Sequence, residues 1–227
     1  MRAQSVEYGD KVTVIKVPEF NFTALEVESM LSKTHRHDNL ILDLRGNPGG
    51  AVDALKYLVG GMFDKEIKIA DRVGRKNLKP ELAKPMHNPY LGKLVVLVDA
   101  RSASAAELFT RIIQLEKRGM VMGDKTEGAV MSARLYEERA GTDTVVFYGA
   151  SITEWDLVMT DGKSLEHVGV TPDELLLPSP NAIANGRDPV LAHAVESLGV
   201  KMTSEEAGKA FPYDGRRNDQ LMVVFFP

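Results

Sequence analysis

Apolar and polar positions alternate from Val12 to Val17, and the run is rich in β-branched residues, so it predicts a strand. Thr23 then stands at the head of a helical pattern reaching about Lys33, and Glu26, three residues on, completes a capping box. Leu40-Ile41-Leu42-Asp43-Leu44 is short, nearly all apolar, and stops at Arg45-Gly46-Asn47-Pro48-Gly49-Gly50. A helix is predicted next, from about Val52 to Met62. The stretch from Asp64 to Pro89 is polar and broken by Pro80, Pro85 and Pro89, which predicts a loop with some strand at Ile67 to Val73. A second strand–turn–helix unit follows: Leu94 to Val98, the turn Asp99-Ala100-Arg101-Ser102, and a helix from about Ala103 to Lys117. Met120 to Met122, Val145 to Tyr148 and Leu157 to Met159 predict further strands. Pro189 opens the last predicted helix, with Asp188 as its cap.

Strands alternating with helices predict an α/β domain. The strand runs are continuously apolar, as strands are when both faces of a sheet are covered. A chain of 227 residues can bury a core without staples, and it is read as one domain over 1–227. The net charge of −4 and the lack of any sustained basic stretch argue against a nucleic-acid partner. With no cysteine, disulfides, thiolate metal sites and a Cys nucleophile are excluded. No apolar run approaches the roughly 20 residues of a membrane span, and the N-terminus carries no signal-peptide pattern. The abrupt entry into a strand suggests a fragment of a longer protein.

Two turns carry candidate chemistry. Adjacent glycines after a buried strand allow positive φ and close backbone approach, and their N–H groups can face an anion at a helix start. Gly49 and Gly50 therefore suit an oxyanion hole, although such a turn also serves simply to join strand to helix. In the second turn, small residues crowd a helix mouth around Ser102 and Ser104. That setting suits a nucleophilic serine, and equally suits a serine that only caps the helix.

The wording of both turns together, LDLRGNPGG followed by VVLVDARSASAAELF, resembles the S41 family of serine peptidases, which includes the tail-specific (C-terminal-processing) proteases and the tricorn protease. Gly123-Asp124-Lys125-Thr126-Glu127-Gly128 is similar to the family's GEKTFG-type turn, and the segment Asp161 to Asp173 to its DGxxIExxGVxPD segment. Gly186-Arg187-Asp188-Pro189-Val190-Leu191 also fits, so the resemblance runs from about Lys11 to Gly199. It implies a crotonase- and Clp-protease-like spiral of strand–turn–helix units, no cofactor, no metal, and a polypeptide substrate cut near an apolar C-terminus. It selects Ser104 as nucleophile, because Glu107 follows at the third position, with Ser102 as the lesser choice. The amide of Ala105 and one from Gly49 or Gly50 would hold the oxyanion, and Glu107 would orient the site or cap the helix. A PDZ domain of the parent would precede Lys11. Family members are often periplasmic, so an extracytoplasmic parent is expected.

The chain departs from the pattern at one place. The Ser–Lys branch carries its base in a GKG triplet, and the matching triplet here is Gly128-Ala129-Val130. Three explanations stand. A tricorn-like Ser–His–Glu branch would use Glu166, with the His upstream of this chain. Lys125 or His167 could substitute. The domain could instead be an inactive binding module, as in the retinoid-binding repeats. A crotonase-type acyl-CoA enzyme is a further alternative, disfavoured by the GNPGG and SASAAE wording. His35, His37, His87 and His193 receive no role. The apolar tail Leu221 to Pro227 reads as a final strand, or as one that adds to a sheet edge here or in another molecule, leaving homo-oligomerisation open.

Overall fold

The computed structural model describes residues 3–76, 78–142 and 144–211. The elements in chain order begin with β1 (Gln4–Tyr8), β2 (Val12–Lys16), α1 (Ala24–Thr34), β3 (Asn39–Asp43), α2 (Val52–Gly60), β4 (Ile67–Gly74), β5 (Glu81–Ala83) and β6 (Lys93–Val98). They continue with α3 (Ala105–Leu115), β7 (Met120–Gly123), β8 (Ser132–Ala140), β9 (Val146–Val158), β10 (Glu174–Leu175), α4 (Pro180–Ala184), α5 (Pro189–Ser197) and α6 (Ser204–Gly208). The tail from Leu221 to Pro227 lies outside the described residues.

Six strands form one sheet in the order β1-β2-β3-β6-β7-β10. Only the β1–β2 pair is antiparallel; β2, β3, β6, β7 and β10 run parallel. Alternation along the central strands splits the interior in two. Ile15, Leu40, Leu42, Val96 and Val98 point into a core beneath α1, α2 and α3, while Val14, Ile41, Val95 and Leu97 point into a second core beneath α5 and α6. The continuous apolar runs therefore reflect two covered faces, and the α/β expectation holds. Four further strands, β5-β4-β9-β8, make a separate antiparallel sheet.

Most predicted elements are present, including the capping box of Thr23 and Glu26 and the Asp188 cap of α5. The differences have physical causes. Helix α3 starts at Ala105, not Ala103, because Ser104 sits at φ 53, outside helical space. The two short strands expected at 145–148 and 157–159 are one strand, β9, whose polar middle is held by backbone pairing to β8. Strand β8 itself, SARLYEERA, was not expected, since it has no buried face to impose alternation. Within the stretch read as loop, β5 pairs with β4.

Candidate active site

Strands β3, β6 and β7 are parallel neighbours, so their carboxyl ends open onto one edge of the sheet. Loops and helix N-termini converge at such an edge, which is where open α/β sheets bind ligands. Asp43 stands opposite Leu97, and Val98 opposite Gly123. The turn after β3, the turn before α3 and the segment after β7 are thereby brought together.

The first turn is wired to the second. Gly46 N–H donates to Asp99 Oδ1 at 2.8 Å, and Ala103 N–H donates to the Asn47 carbonyl at 2.9 Å. Asn47 is fully buried; its Nδ2 donates to the Val17 carbonyl and its Oδ1 accepts from Gly49 N–H, both at 2.8 Å. Gly49 has φ 94, and a Cβ built on it would lie 2.6 Å from Ser104 Cβ, so only glycine lets the two turns touch. The amides of Gly50 and Ala105 donate to no acceptor among the described residues.

The two serines have different fates. Ser102 is buried, with Oγ donating to the Leu44 carbonyl at 2.8 Å and accepting from Asp99 N–H at 3.0 Å. It is a structural lock between the turns. Ser104 is partly exposed and caps α3 with φ 53 and ψ −119. Positive φ in a non-glycine residue costs on the order of 1–3 kcal/mol and persists only where the surroundings impose it. Here they do: Ser104 N–H donates both to the Ala129 carbonyl at 2.9 Å and to Glu107 Oε2 at 3.0 Å. No side chain among the described residues hydrogen-bonds Ser104 Oγ.

Glu107 is fully buried and accepts four bonds. Oε1 takes Thr126 Oγ1–H at 2.6 Å and Gly128 N–H at 2.7 Å; Oε2 takes Ser104 N–H and Ala129 N–H, the latter at 2.9 Å. One carboxylate thus fixes the serine turn and the loop segment 128–129 together. Position 129 lies directly beside the serine backbone, and it holds an exposed alanine.

Glu166 acts further along the same segment. Its Oε2 accepts from Val130 N–H at 2.7 Å and Met131 N–H at 3.1 Å, while Oε1 lies 3.8 Å from His167 Nε2. The His167 side chain is 90% exposed, and its backbone N–H donates to the Gly128 carbonyl. Lys125 is exposed too, and its side chain makes no hydrogen bond to Ser104 among the described residues.

Sequence reasoning missed three supports: Asn47, Thr126 and the ion cluster around Arg45. Arg45 holds Asp43 and Asp188 at 2.8 and 2.7 Å, and Lys16 lies 3.1 Å from Asp43. Burial alone would push the Asp43 carboxyl up, but Arg45 and Lys16 hold it well below the usual carboxylate range. Asp43 ends a buried strand, a position where a charge needs partners, and that signal was present in the sequence. No group of acidic or histidine side chains that could hold a metal ion occurs among the described residues.

The sequence model of peptidase family S41 matches residues 11–176. A CtpA-like serine protease of Staphylococcus haemolyticus is 28% identical over 188 residues, covering 76% of this chain and 35% of that protein. A carboxyl-terminal-processing protease of Picosynechococcus is 27% identical over 177 residues, covering 76% and 41%. The solved structure of the photosystem II D1 C-terminal processing protease superposes with a TM-score of 0.58 at 25% identity, covering 74% of this chain and 43% of that one. The chain therefore spans about two fifths or less of the length of these relatives.

Proposed function

Because the chain belongs to peptidase family S41, we propose that it is the core of a serine endopeptidase that cleaves unfolded or tagged polypeptides near their C-terminus, with Ser104 as nucleophile. The observation that carries this reading is the conformation of Ser104: held at φ 53 at the head of α3, with the amides of Ala105 and Gly50 uncommitted and the Gly49 backbone pressed against it.

In this reading Ser104 Oγ attacks the carbonyl carbon of the scissile peptide while a base takes its proton. The tetrahedral oxyanion accepts from the Ala105 and Gly50 amides, a contribution of roughly 10²–10³ in rate per donor. Between the two candidate glycines Gly50 is favoured, since the Gly49 N–H already serves Asn47 Oδ1. Collapse breaks the C–N bond, the base returns the proton to the leaving amine, and water then hydrolyses the acyl-enzyme. Glu107 is a positioning residue that sets Ser104 and the segment 128–129.

The base is the open role. Ala129 stands at the position resembling the family lysine and cannot take a proton. We favour the Ser–His–Glu arrangement, in which Glu166 Oε1, the oxygen not bonded to backbone amides, orients a histidine from the parent protein. The rival reading, an inactive binding module, draws its support from Ala129 alone.

Covalent labelling with a fluorophosphonate, mapped by peptide mass spectrometry, tests the proposal. Labelling is expected at Ser104 and absent in Ser104→Ala. It should be slow in the chain of 227 residues and faster in the full parent. A parent protein that leaves Ser104 unlabelled overturns the peptidase reading and favours the binding module.

A further inference from the structure

The β8–β9 hairpin projects a two-stranded ribbon with both faces in solvent. Every residue of β8 from Ala133 to Ala140 is exposed, and β9 is exposed along its first eight positions. Large apolar side chains stand in water on it: Leu135 is 60% exposed and Phe147 78%. Strand β8 is also the last strand of its sheet, so its outer backbone groups have no strand partner among the described residues. An isolated ribbon is marginal in water, and a long unpaired edge invites pairing with another chain. Charges on an edge strand usually prevent that. Here their order does the opposite.

We infer that β8 is a self-complementary edge that pairs antiparallel with β8 of a second copy of this chain, across a two-fold axis at Tyr136. Opposite residues in an antiparallel ladder must both turn their N–H and C=O groups toward the partner or both away, and these directions alternate along a strand. In a symmetric pair the axis must therefore pass through a residue, not between two residues. An axis at Glu137 or Glu138 sets like carboxylates face to face, and one at Arg134 sets guanidiniums together. An axis at Leu135 leaves part of β8 unpaired and Arg134 without a carboxylate. An axis at Tyr136 pairs all nine residues of β8. It sets Arg134 against Glu138 of the second copy twice over, with the two Tyr136 rings between them. Arg134, Tyr136 and Glu138 share one face of the ribbon, and the Arg134 guanidinium already lies 5.7 Å from the Tyr136 ring centroid. Opposite charges directly across a ladder stabilise it and like charges destabilise it. The pairing would join two four-stranded sheets into one and remove both exposed edges.

The test is sedimentation equilibrium on the full chain across the micromolar range. The wild-type chain is expected to dimerise in a concentration-dependent way. Glu138→Arg places two Arg–Arg pairs in the interface, and Arg134→Glu places two Glu–Glu pairs. Each is expected to weaken dimerisation by about tenfold or more. Mixing the two variants restores opposite charges at both places, so the mixture should form heterodimers where neither variant dimerises alone. Both positions are solvent-exposed, and far-ultraviolet circular dichroism should be unchanged. A chain ending at Gln220 should dimerise as the full chain does. A monomeric wild type, a dimer indifferent to both charge reversals, or a dimer lost with residues 221–227 overturns the inference. If a monomeric chain instead binds an unfolded polypeptide through this edge, the occupant is a substrate and the self-pairing is equally overturned.

Discussion

At the scale of single residues, the candidate site depends on buried groups that hold its turns in place. Glu107 receives four hydrogen bonds while fully buried. Glu107→Gln replaces one accepting oxygen with an NH₂ that faces donors. The variant should lose about 2–4 kcal/mol in denaturant unfolding, the scale of unsatisfied buried donors and a lost charge-assisted bond. Gly49→Ala should act differently. Its new methyl group would meet Ser104 Cβ at 2.6 Å in a backbone with φ 94. The chain should stay folded by circular dichroism at a cost of about 1–3 kcal/mol, while fluorophosphonate labelling of Ser104 falls at least about tenfold. The turns that carry Gly49, Gly50 and Ser104 were legible because turn residues carry strong local signals, while the choice of Ser104 over Ser102 rested on the family resemblance. The roles of Asn47 and Thr126 were not, because each depends on a partner at least nineteen residues away in the chain, Val17 for one and Glu107 for the other.

At the scale of elements, legibility tracked burial. The buried strands β3 and β6 announce themselves by unbroken apolar runs, and α1 by its cap. Strand β8 and the first eight residues of β9 pair through backbone groups and lie in solvent, so nothing there selects one face as apolar. The 128–131 segment between β7 and β8 is the element where chemistry is most easily changed. Its Ala129 carbonyl accepts from Ser104 N–H, so a side chain at 129 departs from a point beside the proposed nucleophile. Ala129→Lys should therefore supply a general base, worth about 10²–10⁴ in rate, and accelerate labelling of Ser104. The acceleration should rise with pH as the ammonium loses its proton. An unchanged labelling rate would show that a side chain at 129 does not reach Ser104 Oγ.

At the scale of the whole molecule, the sheet separates two cores, and the Asp43–Arg45–Asp188 cluster joins the edge that carries the candidate site to the helices on the far face. The Asp43 carboxyl is held below its ordinary value in the folded state. Its contribution is therefore present above the unfolded value near 4 and fades as pH falls toward the folded one. Thermal unfolding should shift down in acid, and Asp43→Asn should flatten that acid dependence while lowering stability at neutral pH. The division of the strands between two covered faces was readable from composition and run length. The cluster that ties the faces together spans 143 positions between Arg45 and Asp188, and no local pattern announces it.

That tie gives the molecule an internal reporter. Asp188 caps α5 through Leu191 N–H at 2.9 Å while both its oxygens hold the Arg45 guanidinium. Arg45 opens the turn that carries Gly49 and Gly50, so stiffening of this turn should pass through Asp188 to the first turn of α5. Amide hydrogen exchange at Leu191 and Ala192, on the opposite side of the sheet from Ser104, should slow when the serine is acylated. Arg45→Met should uncouple the two and leave that exchange indifferent to acylation.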